Sequence, residues 1–438
     1  MAKSYSVDVH HVTRVEGHGN ILVNVANGTV EECTWKVVEA PRFFESFIRG
    51  RHYSEVRRLV SRICGICAIA HSLASVKATE NALGIQISEQ TDTLRRICKH
   101  AEVLDSNFLH VLFLAAPDFL GLPSVFPLLE QNKELFTLAV EMKKTVGDFA
   151  DLIGGRAVHP LRIIPGGFSK VPTAHELATM IERLKNLVGQ FDAVKDILKS
   201  VAHTIPTFER ETEYIALKDD VEYGQYDGLI ASYMPGGKVE TYSVADYKNI
   251  TNEFVTPHST AKYTKHNLDS YGVGALARIH VSWDQLHPKA REVADELGFS
   301  IPCYKPYFIT IAQFIECYHS AYTGIEYMQK LIDTGIRNEK PAEPTKFAQG
   351  AGATEAPRGI LFHDYTYNEK GICIDGNAII PTNQNHNNIQ HDFDKLVPEL
   401  INEGVDEKTM ELRLEMLVRA YDPCISCSTH YMDIQFKK

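Results

Sequence analysis

The sequence carries no basic surplus. Its 45 lysines and arginines are outnumbered by 56 acids, for a formal charge of −11. It has nothing spare to neutralise a phosphate backbone, which excludes nucleic acid as a main partner. An apolar run near the start is missing as well: "MAKSYSVDVHHVTRVEG" has a lysine but no hydrophobic segment behind it. No stretch suits a lipid-facing helix. The nearest, "FLHVLFLAAPDFLGLPSVFPLL" at 108–129, is broken by His110, Pro117, Asp118, Pro123 and Pro127. It reads as a buried helix that stops near Pro117. There is no low-complexity linker and no phosphate-cradling glycine loop, since "QGAGATEAPRG" fits the dinucleotide pattern only loosely. These absences predict a soluble, cytoplasmic chain with no membrane span, and any nucleotide binds elsewhere.

What is present suits a large core. Hydrophobic residues make up 44% and charged residues 23% of 438 positions, ordinary for a globular protein. One compact unit over 1–438 is expected, mainly α (α+β), with a helical-bundle core and β-hairpins and small sheets at its margins. Asn27-Gly28 lies between two alternating, β-branched runs and predicts a hairpin within 5–40. Helical spacing fills 54–205, as in Ile97, Ala101, Leu104, Phe108 and Leu112, and Thr173 with Glu176 forms a capping box. A mixed segment covers 206–305 and includes β-like "ALARIHVSW". Helix returns at 306–336, strands around turns follow in 337–438, and a last helix spans 394–420.

Nine cysteines are an odd number for a disulfide framework, and the chain is long. Cys33, Cys98, Cys303, Cys317 and Cys373 stand alone and read as small core residues. The other four form two motifs at opposite ends: "RICGICAIAH" at 62–71 and "DPCISCSTH" at 422–430. Structural zinc sites usually separate their pairs by roughly 12–20 residues, because the metal replaces a core that a small domain lacks. This chain needs no such staple. A dithiol redox motif needs only one pair. Four soft thiolates suit zinc, nickel, copper(I) or an iron–sulfur cluster, and chemistry alone leaves that choice open.

Both motifs, together with "RVEGHG" (14–19), "APRGILFH" and "IPTNQN", closely resemble those of the large, catalytic subunit of nickel–iron hydrogenases. The resemblance runs over nearly the whole chain and implies that Cys64, Cys67, Cys424 and Cys427 bind nickel. Cys67 and Cys427 would also bridge to an iron carrying carbon monoxide and cyanide. By the same resemblance His71 supports a bridging thiolate, Glu16 transfers protons, and Arg358 follows Pro357 and is poised above the metals. Asp118 and Asp422 hold that arginine. Pro381 and Thr382 lie where a hydroxyl and an amide bond a cyanide, and Glu45 with His430 binds a magnesium ion. Read without the family, Glu16 would be a solvated side chain, "APRG" a turn and Asp118 a helix-end residue; "GGRAVHPLRIIPGG" reads as architecture, with His159 as readily a satisfied core histidine as a functional one.

Splitting dihydrogen into a hydride and a proton needs a Lewis-acidic metal and a base beside it. The resemblance offers Cys424 as that base and Glu16 as the relay, with Arg358 orienting the reactant. No further cysteine cluster has iron–sulfur spacing. The clusters therefore belong to partners: a small iron–sulfur subunit and further flavin or iron–sulfur subunits leading to a soluble acceptor such as NAD(P) or ferredoxin. A hydrogen sensor and a membrane-bound evolving complex are the alternatives. The related quinone-module subunit of respiratory complex I lacks the cysteine pairs. Eight residues follow His430 here, where many relatives lose a C-terminal extension by proteolysis, so maturation without that cleavage is expected.

Overall fold

The computed structural model describes residues 4–429. His430 and the tail beyond it lie outside the described residues. Three antiparallel strands come first: Tyr5–Val9, Gly19–Ala26 and Thr29–Val37. In the second, Ile21, Val23 and Val25 are buried on one face, the period-two pattern of a half-buried strand. Asn27 and Gly28 make its turn with φ of 50° and 76°. Positive φ at both positions matches the twist of the flanking strands.

Four long helices form the bundle. Glu89–Phe108 is lined by Ile309–Thr334 and Lys133–Gly154, and Ala174–Val201 packs on both, chiefly on Ile309–Thr334. Phe191 keys the layers together, its ring 5.1 Å from Phe108 and 4.9 Å from Tyr318. The Ala174–Val201 helix starts where its capping box lies, with the Thr173 hydroxyl accepting from the Glu176 amide at 3.2 Å. None of the described helices is long and apolar enough to cross a membrane.

Two local expectations are corrected, those for "ALARIHVSW" and for the last helix. The helix from Glu89 does stop near Pro117, at Phe119, after widening into a π-helical stretch, Leu109–Ala115. Ala116 bonds five residues back, to the Val111 carbonyl. That wider turn relieves the clash a proline makes with the preceding turn of an α-helix. "ALARIHVSW" is not a strand, since Ala275–Ser282 is a buried helix. Tertiary contacts override its β-branched residues, the buried Arg278 being paired to two carboxylates. The last helix is two, Pro381–Glu403 and Glu407–Ala420. Gly404 closes the first in the left-handed region, and the Asp406 carboxylate caps the second.

The remaining sheets are small. One runs in the order Val239–Tyr242, Leu229–Tyr233, Glu213–Lys218, Tyr271–Gly272; a second is the meander Gln349–Ala356, Gly359–Tyr367, Cys373–Ile379; a third pairs Ile163–Ile164 with Gly167–Phe168. The meander's first strand lies directly on helix Ala68–Leu83. Gly350 and Gly352 face Ala74, Ala78 and Ala82, and a Cβ on Gly352 would fall 2.7 Å from the Ala74 carbonyl oxygen. That close seat sets the distance between the first cysteine pair and the Pro357-Arg358 turn. Gly352→Ala should therefore destabilise the protein by about 1–3 kcal/mol. Gly189→Ala, on an exposed helix face with open space around it, should be neutral or stabilising. Unfolding midpoints of both variants check this.

Buried histidines give a second expectation. Burial pushes His100 and His386 down to about 3 and His280 down to about 4. Below about pH 6.5 the unfolded chain takes up protons that these folded imidazoles refuse, so stability falls as pH falls. Each contributes about 1.4 kcal/mol per pH unit until its folded pKa is reached. Thermal midpoints should be flat above pH 7 and drop steeply between pH 6 and 4.5.

Candidate metal centre

The first cysteine pair sits at a helix start. A single turn, Ser61–Ile63, leads to Cys64 in extended backbone, and Cys67 is the residue before helix Ala68–Leu83. The amides of Ile66 and Cys67 donate to Cys64 Sγ at 3.3 and 3.0 Å. A helix N-terminus presents partial positive charge and free N–H groups to such a sulfur. Burial works against a Cys64 thiolate, but hydrogen bonds from Cys67 and the nearby Arg358 charge outweigh it and hold the thiol below its ordinary range. Cys67 is pushed well up by its bond to Cys64 and by burial.

The second pair follows helix Glu407–Ala420. Asp422 takes a left-handed φ of 50°, which turns the chain back into the core. Cys424 then pairs with Glu16 in a parallel bridge: Glu16 donates to the Pro423 carbonyl at 3.3 Å and accepts from the Ile425 amide at 2.8 Å. Gly17, at φ 85°, permits this approach, because a Cβ there would meet the Ser426 nitrogen at 2.7 Å. The Glu16 carboxylate lies 3.2 Å from Cys424 Sγ and accepts from the Ser426 amide at 3.1 Å and from the Ser426 hydroxyl.

These two segments bring Sγ atoms of Cys64, Cys67, Cys424 and Cys427 within 4.8 Å of one another, all buried. Cys64 and Cys424 are 3.5 Å apart, and Cys424 and Cys427 are in sulfur–sulfur contact. Cys64 and Cys67 are free thiols. With the second pair reduced, the set offers four soft ligands to one small space, a donor set that fits nickel and other thiophilic ions. Among the described residues no other group of three or more candidate ligands converges in this way.

Around the sulfurs the structure places most of the residues expected there. Arg358 occupies the two-residue turn between paired Ala356 and Gly359. Its Nε donates to the Asp422 carbonyl at 2.5 Å and its Nη2 to the Asp422 carboxylate at 2.7 Å. Burial opposes its charge, but Asp422 and then the two cysteines Cys67 and Cys64 outweigh that and push its pKa up. Pro357 precedes it and is buried. Pro381 opens helix Pro381–Glu403, and the Thr382 hydroxyl accepts from the Cys424 amide at 3.0 Å. His71 lies one turn into its helix, its Nδ1 3.1 Å from His363 Nε2. Glu45 accepts from the Ala378 amide at 2.9 Å. His430, its expected companion, lies outside the described residues.

Asp118 is a correction. Its carboxylate holds Arg14 at 2.5 Å and Arg419 at 2.7 Å, not Arg358. The π-helical stretch turns this part of the helix toward the "RVEGH" loop, where Arg14 also donates to the Leu114 carbonyl at 2.6 Å. The other side of Arg358 is met instead by the Ser106 hydroxyl, 3.4 Å from Nη1. Two further residues escape sequence reasoning. Ser426 was visible only as a spacer between cysteines. Arg42, beside Pro41, has no spacing to mark it, yet its Nη2 donates to the carbonyls of Ile63 and Ser426 at 2.6 and 2.5 Å. One guanidinium thus ties both cysteine loops together.

The sequence pattern of nickel-dependent hydrogenases matches residues 42–134 and 213–430, and one described as HoxL-like matches 6–40. This chain belongs to the nickel-dependent hydrogenase family. It is 32% identical to sulfhydrogenase 2 subunit alpha of Pyrococcus furiosus over 98% of this chain and 100% of that one. Sulfhydrogenase 1 subunit alpha of the same organism is 27% identical, covering 97% of each. Among solved structures, a NAD+-reducing nickel–iron hydrogenase superposes with a TM-score of 0.89 at 27% identity, covering 98% of this chain and 100% of that one. A nickel–iron–selenium hydrogenase of Dm. baculatum, 22% identical with a TM-score of 0.79 over 98% and 100%, shares the fold.

In this hydrogenase-family chain the Arg42 clamp should be costly to remove. Arg42→Gln is expected to lose about 1.5–3 kcal/mol, the range for hydrogen bonds from a charged donor. Arg49→Gln, which breaks an exposed pair with Asp375, should change stability by under about 0.5 kcal/mol. Chemical unfolding of the two variants, with protease resistance of 421–429 as a local readout, checks the contrast.

Proposed function

We propose that this chain is the catalytic subunit of a nickel–iron hydrogenase that reversibly splits dihydrogen into protons and electrons. The observation that carries the reading is the Glu16 carboxylate 3.2 Å from Cys424 Sγ, at the edge of a buried four-sulfur cluster. Cys64, Cys67, Cys424 and Cys427 would hold the nickel–iron centre. When bound, that centre would supply the Lewis acidity and the electron reservoir for heterolytic cleavage. Cys424 Sγ takes the proton, and Glu16 Oε2 receives it across one hydrogen bond. Ser426, bonded to the same carboxylate through its amide and hydroxyl, keeps Glu16 facing the sulfur. Arg358, held on its backbone and side-chain faces by Asp422, supplies fixed positive charge beside the cluster.

Finer assignments follow the same reading. Thr382 accepts from the Cys424 amide, which leaves its own proton free to donate to a cyanide, should the iron carry cyanide and carbon monoxide. Glu45 is a magnesium ligand, with His430 as its companion. Electrons leave through an iron–sulfur subunit, because the described residues hold no second ligand cluster. Exposed Phe43, Phe47, Val158 and Leu161 support docking near the first cysteine loop, where His159 Nδ1 donates to the Ser61 carbonyl at 2.9 Å. The close superposition on a NAD+-reducing enzyme favours a soluble acceptor such as NAD(P) or ferredoxin, reached through flavin or iron–sulfur subunits.

The test uses the matured complex. About one nickel per chain, with infrared bands in the metal-bound cyanide and carbonyl region, is expected, and Cys64→Ser should lose the metal. Glu16→Gln should keep nickel and lose on the order of 100-fold or more in hydrogen–deuterium exchange. Zinc at that stoichiometry without such bands, or unimpaired exchange in Glu16→Gln, would sink the reading.

A further inference from the structure

We infer that Arg278 is a positioning residue for Arg358, fixing the backbone of the turn that presents it to the sulfurs. The inference rests on the reading of Arg358 given above. Arg278 is fully buried in helix Ala275–Ser282, and all five of its N–H groups are committed. Nε and Nη2 donate to the Glu316 carboxylate at 2.6 and 2.7 Å, and Nη1 donates to Glu355 at 2.9 Å. The two remaining donors go to consecutive carbonyls, Ala356 at 2.9 Å and Pro357 at 2.8 Å. Those are the two residues that lead into Arg358.

The turn needs such a holder. Pro357 has no amide to anchor it, and the ladder ends at the Ala356–Gly359 pair. The carboxylates that orient Arg278 are themselves fixed: Glu316 accepts from the Tyr223 hydroxyl at 2.8 Å, and Glu355 accepts from the Leu217 amide at 2.8 Å. Glu316 lies one helical turn from Gln313, whose amide donates to Asp422 at 3.2 Å. Helix Ile309–Thr334 therefore references both halves of Arg358. Through Arg278 it sets the main chain, and through Gln313 and Asp422 it sets the guanidinium. A planar fork can serve two carboxylates and two carbonyls at once, whereas a lysine offers three donors from one atom. Arg278→Lys keeps the charge that Glu316 and Glu355 require but cannot hold both carbonyls.

The experiment is a double-mutant cycle in the assembled, nickel-loaded complex. Arg278→Lys should retain nickel and lose about 10-fold in turnover, since a misplacement near 1 Å costs up to about 100-fold. It should also raise amide exchange at Arg358 and Gly359 above that of the Gln349–Ala356 strand. In an Arg358→Lys background the same substitution should cost under about 2-fold, because the group it positions is gone. Losses that multiply across the two backgrounds, or unchanged exchange at the turn, would overturn the inference. Full turnover in Arg358→Lys alone would instead remove the reading of Arg358 on which it rests. Should Arg278→Lys not assemble, Glu355→Gln tests the same link with a smaller loss in the same cycle, and no loss there overturns it.

Discussion

Four sulfurs from two ends of the chain must meet in one buried space, and most of the architecture serves that meeting. Neither loop can hold its place alone, because each is short and irregular. Arg42 bonds a carbonyl in each, and the Glu16 bridge to Cys424 lays a third segment across them. His386 adds a third tie. Its Nδ1 accepts from Trp35 Nε1 at 3.0 Å, so its Nε2 carries the proton and donates to Ser428 at 2.9 Å. The first sheet, helix Pro381–Glu403 and the last cysteine loop are thereby linked through one neutral ring.

Buried charge is the cost of this arrangement. Arg358 with Asp422, Arg278 with Glu316 and Glu355, and Arg419 with Asp118 and Arg14 are ionic groups taken largely out of water. Pairs of this kind add little net stability, since desolvation offsets much of the Coulombic gain. What they supply here is direction. A carboxylate and a guanidinium lock in a planar fork, and Asp422 uses both its carboxylate and its carbonyl on one arginine. Hydrophobic packing could have filled the same volume. It could not have fixed the angle of a turn or the heading of a charged group.

Legibility in the sequence follows how local each determinant is. The Asn27-Gly28 turn and the Thr173–Glu176 box were readable because a few adjacent residues decide them. The four cysteines were readable because two rare motifs repeat at the ends. Helix Ala275–Ser282 reads as strand in the sequence because β-branched Ile279 and Val281 favour that state, and Arg278 finds its carboxylates far away in sequence. Arg42, Ser106 and Gln313 carried no pattern at all. Their partners are backbone carbonyls, a guanidinium in a distant hairpin and the Asp422 carboxylate, and only the fold brings these within reach. Asp118 was misplaced because the π-helical widening, invisible in periodicity, redirects that end of the helix.

The exchange of an expected acid for Ser106 alters the electrostatics of the centre. With carboxylates on both sides, a guanidinium is neutralised and its donors are consumed. Here one ionised partner, Asp422, takes Nε and Nη2, while Nη1 has only a 3.4 Å contact to a neutral hydroxyl. Its least committed end is therefore Nη1. The same guanidinium helps hold Cys64 below its ordinary range against burial, and it opposes without reversing the rise that the Cys64 bond and burial impose on Cys67, so its charge is felt across the sulfurs. A cation tied at one side and lightly held at the other keeps more of its field for the space beside it. That arrangement suits the role proposed for Arg358, stabilising developing charge, and it depends on the turn beneath it staying rigid.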